Sequence, residues 1–235
     1  VQSFAKKASP DLAQRLRTVR LLAFQLSAVV GSKQEISVLD WGGGWGTWCQ
    51  AARALGCTAY LMDLSRVRVG HNQPEGVMRV TSLVELKGVL FDLINAAQVL
   101  EHVPDPLDSL RDLVALLGEG GGISISVPDA GTQRHPAGQV RKGPHQPLEH
   151  INGFIRKSVR YLVQHAGLEM SRSRVFSASS SLGVGSLLKE IIRNMVVELT
   201  PAARLPRGTT SVFAIKPRRS GIEDHGSLGE NERCR

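Results

Sequence analysis

Val38-Leu39-Asp40-Trp41-Gly42-Gly43-Gly44-Trp45-Gly46 is the stretch that decides the fold of this 235-residue chain. The apolar run from Ile36 to Leu39 reads as a buried strand. It ends in the Asp40 carboxylate and breaks into glycines, and a helical pattern follows from Thr47. Glycine has no Cβ, so a backbone made of it can turn tightly and approach a ligand closely. The helix behind the turn aims its unpaired N–H groups at that ligand. The spacing is D-x-G-x-G-x-G. A dinucleotide fingerprint counted from Gly42 needs glycine at Thr47, and counted from Gly43 it fails at Trp45. An anion just before the turn repels a pyrophosphate and suits a cationic or hydrogen-bond-donating ligand.

Outward from this turn the chain alternates strands and helices. Thr47 to Leu55 is helical in pattern, with Gly56 as its stop. Strands are expected at Thr58–Met62, Val77–Val80, Val89–Ala97 and Ile123–Val127, and helices at Leu64–His71, Asp105–Leu117 and Arg156–Ala166. Alternation of this kind implies βαβ units and a parallel sheet covered by helices on both faces. Upstream, Arg15, Arg17 and Arg20 precede an apolar stretch from Leu21 to Val30, which superficially resembles a secretory leader. It is too short to span a bilayer. Ser9 followed by Pro10 reads as a helix N-cap, so residues 10–30 are expected to form a helix over the sheet edge. A chain that begins at Val1 reads as a piece of a longer one.

Composition narrows the function. The chain is 42% hydrophobic, enough for one α/β domain with a real core, and crowded for two. Its net charge of +8 is not gathered into runs and only 5% of residues are aromatic, so a nucleic-acid partner is not expected. Cys49, Cys57 and Cys234 stand at spacings that make neither a zinc pattern nor a disulfide framework, which fits a reducing, cytoplasmic setting.

Two further segments carry chemistry. Asp63 closes the second strand, where ligands of open α/β sheets bind, and its carboxylate can accept from both hydroxyls of a ribose. Capping the following helix is the alternative role. The string Phe91-Asp92-Leu93-Ile94-Asn95-Ala96-Ala97-Gln98-Val99-Leu100-Glu101-His102-Val103-Pro104-Asp105-Pro106 should deliver Ala97 and Gln98 to a ligand at the strand end. If a helix starts there, Gln98, Glu101 and His102 share a face.

The glycine turn resembles motif I of the class I S-adenosylmethionine-dependent methyltransferases, and the string from Phe91 resembles their motif IV in the branch of the ubiquinone-biosynthesis O-methyltransferases. Glu149-His150-Ile151-Asn152-Gly153-Phe154 with Ala166-Gly167-Leu168 is similar to the segment after the fifth strand in the same branch. The resemblance covers about residues 36–217. It implies a Rossmann-like, seven-stranded, mostly parallel sheet with the last strand pair antiparallel, and S-adenosyl-L-methionine as cofactor. The cofactor would be held by Asp40, Trp41, Gly42, Gly43, Gly44, Gly46, Asp63, Leu64, Ser82 and Gln98, with Ser82 meeting the adenine amine. In some relatives an acid at the position of Gln98 joins a Glu-His pair on a divalent metal. A neutral amide is a poorer ligand for a hard cation, so no metal is expected here. The expected reaction is O-methylation of a small molecule or of a glycan or lipid precursor.

A histidine with a pKa of about 6.5 can take the proton of such an acceptor. His150, His102 and His145 are the candidates. The loop 129–149 also holds His135, Arg134, Arg141 and Lys142, which suits an anionic acceptor. One methyltransferase domain is expected over 1–217, with an insertion at 178–208 and a disordered tail at 218–235. The helical stripe Leu187–Val197 in that insertion reads as core or lid, and as a membrane-surface helix only weakly. A non-catalytic cofactor-binding module and a nucleotide-dependent oxidoreductase are the competing functions.

Overall fold

The computed structural model describes residues 10–64, 75–132, 150–171 and 209–218. Seven strands form one sheet: β1 (Ser37–Trp41), β2 (Thr58–Met62), β3 (Val77–Val80), β4 (Phe91–Ala97), β5 (Leu117–Pro128), β6 (Glu169–Met170) and β7 (Thr209–Ile215). Their order is β3-β2-β1-β4-β5-β7-β6. The first five run parallel, and β7 lies antiparallel to both β5 and β6. The expected architecture is therefore what the chain adopts.

Alternation along each strand divides the core into two layers, because successive side chains leave opposite faces of a pleated strand. Leu39, Trp41, Ile94, Ala96, Ile123 and Ile125 face one way, onto α3 (Pro106–Ala115) and α4 (Arg156–His165). Val38, Ala59, Leu61, Leu93 and Phe213 face the other way, onto α1 (Pro10–Val29) and α2 (Thr47–Ala54). Burial on both faces explains why β4 reads as a nearly continuous apolar run.

Several boundaries differ from the sequence reading. β1 runs two residues past Leu39, so Asp40 lies inside the strand. β5 begins at Leu117 and carries its glycines within it. A Cβ on Gly122 would stand 2.7 Å from the Phe213 ring and 2.8 Å from Val29 Cγ1, so α1 and β7 close over this position. The first helix does not cover the sheet edge. Its fully buried Leu22 packs with Leu93 and Phe213, which seats it on the face of the sheet beside α2. The expected helix Leu64–His71 falls mostly on residues outside the described set. Ser9, the insertion at 178–208 and the tail beyond 218 lie outside it as well.

Candidate active site

Strand order reverses at β1, which pairs with β2 on one side and β4 on the other. Crevices at such points, beyond the carboxyl ends of the strands, are where open α/β sheets bind ligands. The glycine turn sits here. Gly42 N donates to Met62 O at 2.7 Å, which bends the chain back over the end of β2. Gly44 and Gly46 take positive φ, and Gly46 stands at the N-cap of α2. At Gly43 a side chain would displace the ends of Leu61 and Asp40. Its Cβ would lie 2.2 Å from Leu61 Cδ1 and 2.4 Å from Asp40 Oδ2.

Asp40 is 3% exposed and receives Asn95 Nδ2 at 2.7 Å. Burial pushes its pKa up to about 7, the Asn95 hydrogen bond opposes this, and the charge of nearby Asp63 adds to it. Asp63 accepts from Gly44 N at 2.8 Å, so the second carboxylate tethers the glycine turn.

A cavity of about 740 Å³ opens beside the turn, in the size range of small-molecule sites. Asp40, Gly42, Gly43 and Gly44 line it on one side, and Asn95, Ala97, Ser124, Ser126 and Ser211 form its floor. The helix α1 contributes Gln14, Arg17, Thr18 and Gln25, and Trp45 and Trp48 stand near the turn. A cofactor carrying a sulfonium and an ammonium fits this lining, because the buried Asp40 carboxylate belongs to it and can accept from the ammonium.

Other predicted cofactor residues sit elsewhere. Trp41 turns to the opposite face of the sheet, into the core with Leu39 and Ile94. Leu64 is exposed next to Asp63. The Ser82 hydroxyl accepts from Val84 N at 3.2 Å and caps a short helix at Leu83–Leu86, while Glu85 accepts from Ser82 N at 2.9 Å. Gln98 is exposed, adopts φ 57°, and donates its N–H to Ser126 O at 2.8 Å. That left-handed turn ends β4, and only Leu100–His102 coils, as one 3-10 turn. The shared face expected of Gln98, Glu101 and His102 therefore does not form.

Glu101 and His102 instead meet His150. Ile151 N and Asn152 N donate to Glu101 O at 2.9 and 3.1 Å, and Asn152 Nδ2 donates to Val103 O at 2.6 Å. These bonds strap residues 150–152 onto the turn. The two imidazoles meet edge-on with centroids 4.8 Å apart. Glu101 is 1% exposed, and neither carboxylate oxygen has a hydrogen-bond partner among the described residues. Its pKa is raised by burial, against the smaller pull of its own backbone and of the two histidines. The ligand atoms of this trio lie within 4.8 Å of one another, a spacing compatible with a metal ion. Neither histidine lines the cavity. His145, His135, Arg134, Arg141 and Lys142 lie outside the described residues.

A family model described as a methyltransferase domain matches residues 10–172. The chain belongs to the class I methyltransferases. Among curated proteins it is 34% identical over 99 residues to the ubiquinone biosynthesis O-methyltransferase of Xanthomonas campestris pv. campestris, a match covering 38% of this chain and 41% of that one. The chain thus spans about two fifths of the length of the curated relatives it matches. Among solved structures it resembles the plantazolicin methyltransferase BpumL in complex with SAH (TM-score 0.58, 14% identity, 89% of this chain and 86% of that one). It also resembles the N-methyltransferase NodS from Bradyrhizobium japonicum WM9 with S-adenosyl-L-homocysteine (TM-score 0.55, 18% identity, 92% of each). S-Adenosylmethionine is the cofactor of this methyltransferase class.

The sequence reading missed Gln25, Asn95, Ser124, Ser126 and Ser211. The Ser-x-Ser alternation through β5 was visible, but its meaning depends on which strands lie beside it.

Proposed function

We propose that this chain transfers the methyl group of S-adenosylmethionine to a hydroxyl oxygen of a small molecule or of a glycan or lipid precursor. The observation that carries the reading is the buried Asp40 carboxylate lining, with Gly42, Gly43 and Gly44, a cavity at the point where the strand order reverses. Asp40, Gly42, Gly43 and Gly44 would hold the amino-acid part of the cofactor, and Asp63 its ribose. The cofactor supplies an electrophilic methyl group on sulfur. The residues of the chain bring an acceptor into line with it and exclude water, an effect that can contribute about 7–11 kcal/mol. His150 and His102 meet beside Glu101 after β4, outside the cavity lining, so His150 serves as base where an acceptor hydroxyl extends from the cavity to its ring. The resemblance to the O-methyltransferase over 99 residues supports oxygen as the accepting atom. No divalent metal is required in this reading, because Gln98 stands where an acidic ligand would.

The test is a screen of hydroxylated acceptors with mass-spectrometric detection of methylated product and S-adenosylhomocysteine. Product formation by the wild type, with kcat lowered in His150→Ala, supports the reading. Cofactor binding without consumption across the panel would support the binding module instead.

A further inference from the structure

The floor of the cavity holds more polar groups than the cofactor reading uses. In register, Asp40 lies beside Asn95, Asn95 beside Ser124, Ala97 beside Ser126, and Ser126 beside Ser211. Cross-strand partners project to the same face. Ser124, Ser126, Ser211 and Thr209 therefore bring four hydroxyls from two adjacent strands to the space under α1. Ser126, Ser211 and Thr209 make no side-chain hydrogen bond to another described residue. Above them Gln25 is 3% exposed. Its Nε2 donates to Ser124 Oγ at 2.9 Å, and its Oε1 has no partner among the described residues.

A buried amide with one unpaired end is costly unless a ligand completes it. We infer that the acceptor is an uncharged, polyhydroxylated, sugar-like ring seated on Ser126 and Ser211 beneath Gln25. This rests on the reading of the chain as an O-methyltransferase and narrows its substrate class. A hydroxyl both donates and accepts, so it can pair with a serine hydroxyl and with either end of an amide. A phosphate or carboxylate cannot donate to the Gln25 carbonyl. Arg17 of α1 is the one cation among the described lining residues, and the strand floor around Ser126 and Ser211 carries none, while Asp40 lines the same cavity. A planar aromatic acceptor carries its hydroxyls in one plane, and so reaches fewer of the floor hydroxyls and the Gln25 amide at once than a puckered polyhydroxylated ring does.

The experiment is saturation-transfer NMR on the full chain loaded with S-adenosylhomocysteine. The probes are myo-inositol and the methyl glycosides of common hexoses and 6-deoxyhexoses, set against benzoate, catechol and glycerol 3-phosphate. Transfer to at least one neutral glycoside or to inositol is expected, and not to the comparison set. Affinity should fall about tenfold in Ser126→Ala/Ser211→Ala and in Gln25→Leu, with S-adenosylhomocysteine affinity unchanged in the same samples. The double variant changes half-buried positions and keeps the test open if Gln25→Leu fails to fold. Transfer only to the comparison compounds, or to neutral probes with no loss in the variants, overturns the inference while the methyltransferase reading stands. Failure to bind S-adenosylhomocysteine at all overturns both.

Discussion

Asp40 is a carboxylate whose burial has been made costly and then useful. Its pKa of about 7 places the change of charge at physiological pH. The folded protein holds this proton between the usual carboxylate range and about pH 7, and the unfolded chain does not. The group therefore favours folding at low pH, and that contribution is lost as pH rises through 7. Asp40→Asn removes the ionisation, and its stability relative to the wild type should rise from pH 5 to pH 8 in thermal melts. Cofactor binding runs the other way, because only the carboxylate attracts a cationic ligand. Affinity for S-adenosylmethionine should rise from pH 6 to pH 8 in the wild type, and the slope should flatten in Asp40→Asn. Asp63→Ala removes a charge-assisted partner and also frees Gly44 N, so binding should weaken by about 1.5–3 kcal/mol or more in calorimetry. Gly44→Val forces a β-branched residue to φ 54°, a region such residues rarely adopt, and should abolish binding. Unchanged affinity in both Asp63→Ala and Gly44→Val would sink the cofactor assignment.

At the level of elements, the strap from Ile151 and Asn152 to the turn after β4 decides which histidines meet. His102 and His150 are far apart in the chain and adjacent in space. With Glu101 beside them, His150→Ala should lower kcat, while KM for the cofactor should hold. Turnover should survive dialysis against a chelator. Activity lost to the chelator and restored specifically by magnesium would make Glu101, His102 and His150 ligands instead. The first helix is a second such element, seated by Leu22, which is fully buried between sheet and α2. Leu22→Ala should cost about 2–5 kcal/mol in denaturant unfolding, and a loss under 1 kcal/mol would mean α1 is not docked as described. These placements also show the limits of sequence reading. Asp40, the glycines and Asp63 are legible because a backbone turn needs particular residues at fixed spacing. The 98–102 face failed because Gln98 takes a left-handed turn that a glutamine gives no reason to expect. The acceptor floor was hidden because Ser124, Ser126 and Ser211 gain meaning only from the register between β4, β5 and β7.

For the whole molecule, the two-layer core accounts for the division of labour. One face of the sheet is sealed by α3 and α4 and holds Trp41 as packing. On the other face α1 and α2 leave a polar cavity open toward the glycine turn. The alternation of strand and helix patterns predicted a parallel sheet covered on both faces, and the resemblance to the methyltransferases supplied the seven strands and the antiparallel last pair. Among the described residues no helix is long and apolar enough to cross a membrane. Cys49 and Cys57 are buried, unpaired thiols. Burial, then the charge of nearby Asp40, holds the Cys49 pKa far up. That of Cys57 is also raised by burial. Both should therefore resist alkylation at neutral pH in the folded protein.

By its spacing and its buried acid, the D-x-G-x-G-x-G turn should bind an adenosyl sulfonium and not a dinucleotide. Isothermal titration of the wild-type chain with S-adenosylhomocysteine, S-adenosylmethionine and NAD tests it most directly. Stoichiometric binding of both adenosyl ligands, lost in Gly44→Val, and no heat from NAD is the expected result. Saturable binding of NAD with neither adenosyl ligand bound would contradict the account and return the chain to the nucleotide-dependent oxidoreductases.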